Sequence, residues 1–119
     1  MLRLTRRIAR AIFLLDDNNA TRYYMDVIKS FTSSEAAKIY DREGSKKLPP
    51  SIQNVALRKL LMIDAAVTIN DLRAPPANRL EKLKGSRNGQ HSIRINDQWR
   101  ICFRWVDGGA YDVEIIDYH

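Results

Sequence analysis

Three turn signals in the last third of the chain leave it few folds. Asn88-Gly89 suits a tight turn with positive φ at both central residues, and Asp107-Gly108-Gly109 a glycine-containing hairpin loop. Between them, Asn96-Asp97 offers a two-residue turn without glycine. The segments they separate within residues 79–119 have strand length, so the stretch reads as a four-stranded antiparallel meander. Alternation assigns the faces. Trp99, Ile101, Phe103 and Trp105 share one side of their strand; Arg100, Cys102 and Arg104 share the other. In the strand before, Ile93 and Ile95 oppose Ser92, Arg94 and Asn96. In the last strand Tyr111, Val113 and Ile115 oppose Asp112 and Glu114, with Ile116 off the pattern. One face is apolar and needs a cover, while the other offers guanidinium groups.

The preceding residues supply that cover. Residues 26–31 read as a strand with Val27, Lys29 and Phe31 on one face. Thr32-Ser33-Ser34-Glu35 matches a capping box, opening a helix to about Arg42 with Ala36, Ile39 and Tyr40 on its apolar stripe. Gly44 ends it, and Pro50 is placed to start the next helix. That helix, 51–67, repeats Ile52, Val55, Ala56, Leu60 and Ile63 at helical spacing, widened by Leu57, Leu61 and Met62. Residues 68–78, with Pro75-Pro76, read as a loop. The order is strand, two helices, four strands: a small α+β domain over 25–119 with both helices on one sheet face. Residues 1–24 stand apart as a basic N-terminal extension, consistent with an upstream start. Positions 1–15 read as a short basic amphipathic helix ending at Asp16-Asp17-Asn18-Asn19. Its apolar run is too short for a signal peptide, and no small-residue cleavage site follows. A helix lying on a membrane surface is the alternative for this segment.

The formal charge of +6 on 119 residues points to a polyanion or an acidic protein partner. Five basic residues against two acids fall in the first 24 positions, so the domain itself is only mildly basic. A single cysteine excludes an internal disulfide, and two histidines without ligand spacing do not suggest a metal site. No apolar run approaches the roughly 20 residues of a membrane span. The chain reads as cytoplasmic, with no metal, cofactor or membrane partner expected.

Phosphate-binding glycine loops, nucleophile triads and paired hydrolase carboxylates are missing from the sequence. The remaining cluster of Lys, Arg, Asp, Tyr and His suits RNA phosphodiester cleavage. That reaction needs a proton taken from the 2′-hydroxyl, a stabilised phosphorane and a proton given to the 5′-oxygen. His119 titrates nearest neutrality, Asp117 could orient it, and Tyr118 could stack on a base or donate a proton. Arg100 could hold a phosphate; a cross-strand ion pair with Glu114 is its plainer use. Lys84 and Arg87 flank Gly85 at a turn, and Arg94 and Arg104 share the polar sheet face, as an RNA-binding set would. Glu81 could act as a base or form a surface salt bridge. His91 reads as a capping or packing residue, and Cys102 as structural.

Read as a whole, LKGSRNGQHSIRINDQWRICF followed by DYH resembles the HigB toxins of the RelE/ParE superfamily, over residues 26–119. The resemblance implies a compact sheet covered by two helices, with the active site on the open face. It implies a ribosome-dependent endoribonuclease that cuts mRNA and is neutralised by a helix-turn-helix antitoxin, HigA, through which alone operator DNA is contacted. By motif match, Lys84 of LKG, Arg100 of QWRI, and Asp117, Tyr118 and His119 of DYH fall on the family's catalytic positions. Some members carry a histidine two residues before LKG; here Glu81 stands there, so Glu81 or Lys84 would take the second proton-transfer role. Two other readings survive: a ParE-like toxin that inhibits DNA gyrase by binding, and a regulatory module whose sheet binds a protein helix.

Overall fold

The computed structural model describes residues 26–118 and the backbone of two short strands before them, β1 (Ile12–Leu15) and β2 (Thr21–Tyr24). These two pair antiparallel, Ile12 opposite Tyr24 and Leu15 opposite Thr21. The expected amphipathic helix is therefore not formed over 12–15. Ile12, Phe13, Thr21, Tyr23 and Tyr24 are β-branched or aromatic residues that favour strands over helix. The rest of that expected helix, residues 1–11, lies outside the described residues.

The meander is present as β3 (Glu81–Lys82), β4 (His91–Arg94), β5 (Trp99–Val106) and β6 (Gly109–Asp117), in that spatial order and all antiparallel. Its turns differ in chemistry from the expectation. Positive φ at both central residues occurs at Asp107-Gly108, where φ is 49° and 77°. At Asn88-Gly89 only the glycine is left-handed (φ 92°) and Asn88 is extended (φ −54°, ψ 135°). That is a type II geometry, closed by Gln90 N–H donating to the Arg87 carbonyl at 3.0 Å. The Asn96 carboxamide substitutes for glycine at the middle turn, accepting from the amides of Gln98 and Trp99, both at 2.8 Å.

Residues 26–31 run parallel to β6 and complete its outer edge. Lys29 N–H donates to Ala110, Ala110 N–H to Val27, and Val113 N–H to Ser30. Here Ile28, rather than the set Val27, Lys29 and Phe31, is the buried core residue, and Lys29 is exposed. The alternation expected in β6 also fails at one point. Between Cys102 and Arg104 the pairing slips, and Asp112 takes φ 55° as the extra residue of a bulge. Tyr111 consequently pairs with Arg104 and is exposed, while Ala110 and Val113 both turn inward.

Helix α1 (Ser34–Tyr40) starts one residue later than the capping box predicts. Its cap is Ser33, whose hydroxyl accepts from Ala36 N–H at 3.2 Å. Thr32 is still committed to the sheet, its amide donating to Val113 and its hydroxyl to Asp112. Helix α2 (Pro50–Ala65) begins on Pro50 as expected and buries Ile52, Ala56, Leu60 and Ile63 against the sheet. Tyr40, Leu60, Ile63, Ile93, Ile101, Phe103 and Val113 form the centre of the core. The loop 68–78 is tied down from within: buried Asn78 donates to the carbonyls of Leu72 and Ala74 and accepts from the Lys59 ammonium. Burial, then the charges of Arg58 and Arg94, lowers the pKa of Lys59. Among the described residues no helix is long and apolar enough to cross a membrane.

Candidate active site on the open sheet face

Both helices cover one face, so the other face of the sheet carries the remaining side chains. Register places Arg94, Arg100 and Ile116 in one cross-strand row, and Glu81, Ser92, Cys102 and Glu114 in the next. Arg100 lies at the middle of this face and is only 7% exposed. Its Nε donates to Ser92 Oγ at 2.7 Å, and its Nη2 donates to the carbonyls of Arg79 at 2.6 Å and Ser92 at 3.3 Å. The Tyr118 ring stands 5.3 Å from the guanidinium carbon, at cation–π distance. The Tyr118 hydroxyl donates to Glu81 Oε1 at 2.8 Å, which raises the phenol pKa. Its backbone N–H is held by the Gln98 carbonyl. Beside this pair, Glu81, Lys82, Leu83, Lys84 and Tyr118 line an open cleft of about 450 Å³. Lys84 is exposed there and makes no ion pair among the described residues.

The structure thus brings Arg100, Tyr118, Glu81 and Lys84 together, and distributes the other expected residues around them. Asp117 pairs with Trp99, whose side belongs to the core, so it leaves β6 on the face opposite Arg100 and accepts from Gln98 Nε2. The expected partner of Asp117 is His119, so that pairing falls outside the described residues. His119 lies outside the described residues. Arg87 pairs with Glu114 at 3.3 Å, the partner envisaged for Arg100. Arg104 pairs with Asp112 at 3.3 Å and lies against the Gly89 backbone, where a Cβ would come within 3.0 Å of its Nη1. Arg94 pairs with Asp97. These three ion pairs are partly solvated, so a phosphate can replace the carboxylate at small cost.

His91 and Cys102 are both set by burial. His91 pairs across the strands with Phe103 on the core side, its ring 6.3 Å from that ring, and burial followed by the Lys82 charge lowers its pKa. Cys102 is fully buried beneath the open face, and burial pushes its thiol up to about 11. Ser92 and the Arg79 carbonyl were not singled out from the sequence. The only signal was that Ser92 alternates onto the polar face; its diagonal relation to Arg100 depends on the β4–β5 register. Among the described residues no three His, Cys, Asp or Glu side chains gather as a metal site would require.

Two helices on one face of a four-stranded antiparallel sheet make an α+β fold consistent with a RelE-like toxin domain. Residues 29–119 match the family described as the RelE-like toxin of type II toxin-antitoxin system HigB. The chain is 49% identical over 70 residues to Toxin HigB-1 of Vibrio cholerae, covering 59% of this chain and 74% of that protein. It is 31% identical over 93 residues to Endoribonuclease HigB of Proteus vulgaris, covering 78% of this chain and all of that protein. This chain belongs to the HigB family of type II toxin–antitoxin toxins, whose members pair with an antitoxin.

Proposed function

We propose that the chain is a ribosome-dependent endoribonuclease that cuts mRNA and thereby inhibits translation. The observation that carries this reading is Arg100: a buried positive charge on the open face, held among the described residues by neutral oxygens and flanked by a tyrosine ring. Such a group suits a developing phosphorane charge better than a ground-state ion pair. The name of the Proteus vulgaris relative supports the same chemistry.

In the reaction, the 2′-oxygen attacks the adjacent phosphorus and the bond to the 5′-oxygen breaks, leaving a 2′,3′-cyclic phosphate and a 5′-hydroxyl. Arg100 and Lys84 stabilise the non-bridging oxygens. Glu81, which lines that cleft and accepts a hydrogen bond from the Tyr118 hydroxyl, takes the 2′-hydroxyl proton. His119, next to Tyr118 in sequence, returns a proton to the 5′-oxygen. Asp117, two residues before His119, orients that imidazole. Arg87, Arg94 and Arg104 contact flanking phosphates. A site this sparse depends on the ribosome to orient the substrate. The partner is a HigA-like helix-turn-helix antitoxin, through which the complex meets operator DNA, and the setting is the cytoplasm.

The test is primer extension on an mRNA being translated, with purified protein, Arg100→Ala, His119→Ala and an RNA-only control. New ends that require the ribosome and Arg100, and that fall by about 10²-fold or more in either variant, are expected. Undiminished cleavage by folded Arg100→Ala overturns the assignment. Inhibition of gyrase supercoiling without any cleavage would replace it with the ParE-like reading.

A further inference from the structure

We infer that Ser92 and the left-handed backbone of Arg79 are positioning elements that aim Arg100 at the scissile phosphate while leaving its charge intact. This rests on the ribonuclease reading. Arg100 has five N–H donors. The Nε–H points at Ser92 Oγ, and Nη2 is shared between the Arg79 and Ser92 carbonyls. One edge of the guanidinium fork is therefore consumed by the protein. Nη1 makes no hydrogen bond among the described residues, so the arginine presents a single nitrogen to its ligand rather than a bidentate fork.

The chemistry of the acceptors matters as much as their placement. Among the described residues no carboxylate pairs with Arg100. A hydroxyl and two carbonyls orient the guanidinium without neutralising it, and the full charge remains for an anion. The nearby acids are occupied elsewhere: Glu114 by Arg87, and Glu81 by the Tyr118 hydroxyl. Ser92 is itself fully buried, so its hydroxyl is not shared with solvent. The Arg79 carbonyl reaches Nη2 from a residue at φ 45°, ψ 57°, a conformation that costs a non-glycine residue free energy. The strain falls on the residue whose carbonyl completes the clamp, while the Arg79 side chain is exposed.

The clamp acts in the transition state, so its loss should reduce turnover rather than substrate binding. Ser92→Ala is expected to lower kcat about tenfold with KM moving by less than about twofold. A readout independent of activity is the Arg100 Nε–H resonance in a nitrogen-15 spectrum, assigned by its disappearance in Arg100→Lys. It should be protected from solvent exchange in the parent and lose that protection in Ser92→Ala, with the backbone spectrum otherwise unchanged. Parental kcat in Ser92→Ala, or retained protection, overturns the inference. An inactive parent protein would instead sink the ribonuclease reading, while the exchange measurement still decides whether the clamp exists.

Discussion

Cys102 shows how one buried atom can be chemically silent beneath a reactive surface. Its neighbours on the open face include Arg100, Arg87, Glu81 and Glu114, yet burial outweighs their charges and holds the thiol at about 11. At pH 8 only about one molecule in a thousand then carries the thiolate. Iodoacetamide should therefore label the native protein far more slowly than the urea-unfolded chain, whose single cysteine reacts as a free thiol. Equal labelling rates would mean that the strand opens readily. The sign of the linkage follows from the raised value. The neutral thiol's contribution to stability is complete below the ordinary thiol range of about 8.5 and is lost as pH rises through about 11. A residue of this kind was legible in the sequence as structural, because nothing beside it in the chain activates it. Ser92 was not legible, because its partner is eight residues away and one strand over.

At the scale of elements, Asp64 joins three pieces of the fold. From the penultimate position of α2 it accepts from the Ile28 amide at 2.9 Å and from the Tyr40 hydroxyl at 2.6 Å. It thus fastens both the edge segment 26–31 and α1 to the long helix. Asp64→Ala would leave a buried amide and the hydroxyl of a fully buried tyrosine without that acceptor, a loss of about 2–3 kcal/mol by the usual cost of unmet polar groups. The urea midpoint of the purified variant measures it; a change under about 0.5 kcal/mol would show that other groups take over. The meander and both helices could be read from alternation and helical spacing because those patterns are local. Three features could not. The Ser33 cap wins over Thr32 because the Thr32 amide is engaged by a strand some eighty residues on. The bulge at Asp112 is marked only by an aspartate, one of the few non-glycine residues that tolerate positive φ. The β1–β2 hairpin lies in a segment whose basic and aliphatic residues also fit a helix.

For the whole molecule, asymmetry is what matters. Both helices cover one sheet face, and the bare face gathers arginines from three strands or turns together with Tyr118 and Glu81. Arg87, Arg94 and Arg104 hold exchangeable carboxylates, whereas Arg100 holds none among the described residues, so phosphate contacts should displace local ion pairs as well as counterions. With a formal charge of +6, the proposed ribosome binding should weaken by about tenfold or more between 50 and 200 mM salt, as co-sedimentation would show. Salt-insensitive binding would assign the interaction to apolar contacts. The bulge gives this asymmetric sheet a slack link. Trp99 to Cys102 are registered against Glu114 to Asp117, and Arg104 to Val106 against Gly109 to Tyr111, with the surplus residue between. A change of length at the Asp107-Gly108 tip can be absorbed there before it reaches Arg100, whereas the Asn96-Asp97 tip has no such buffer. The far tip of the β5–β6 hairpin is accordingly the place to graft a reporter peptide without re-registering the strand that carries Arg100.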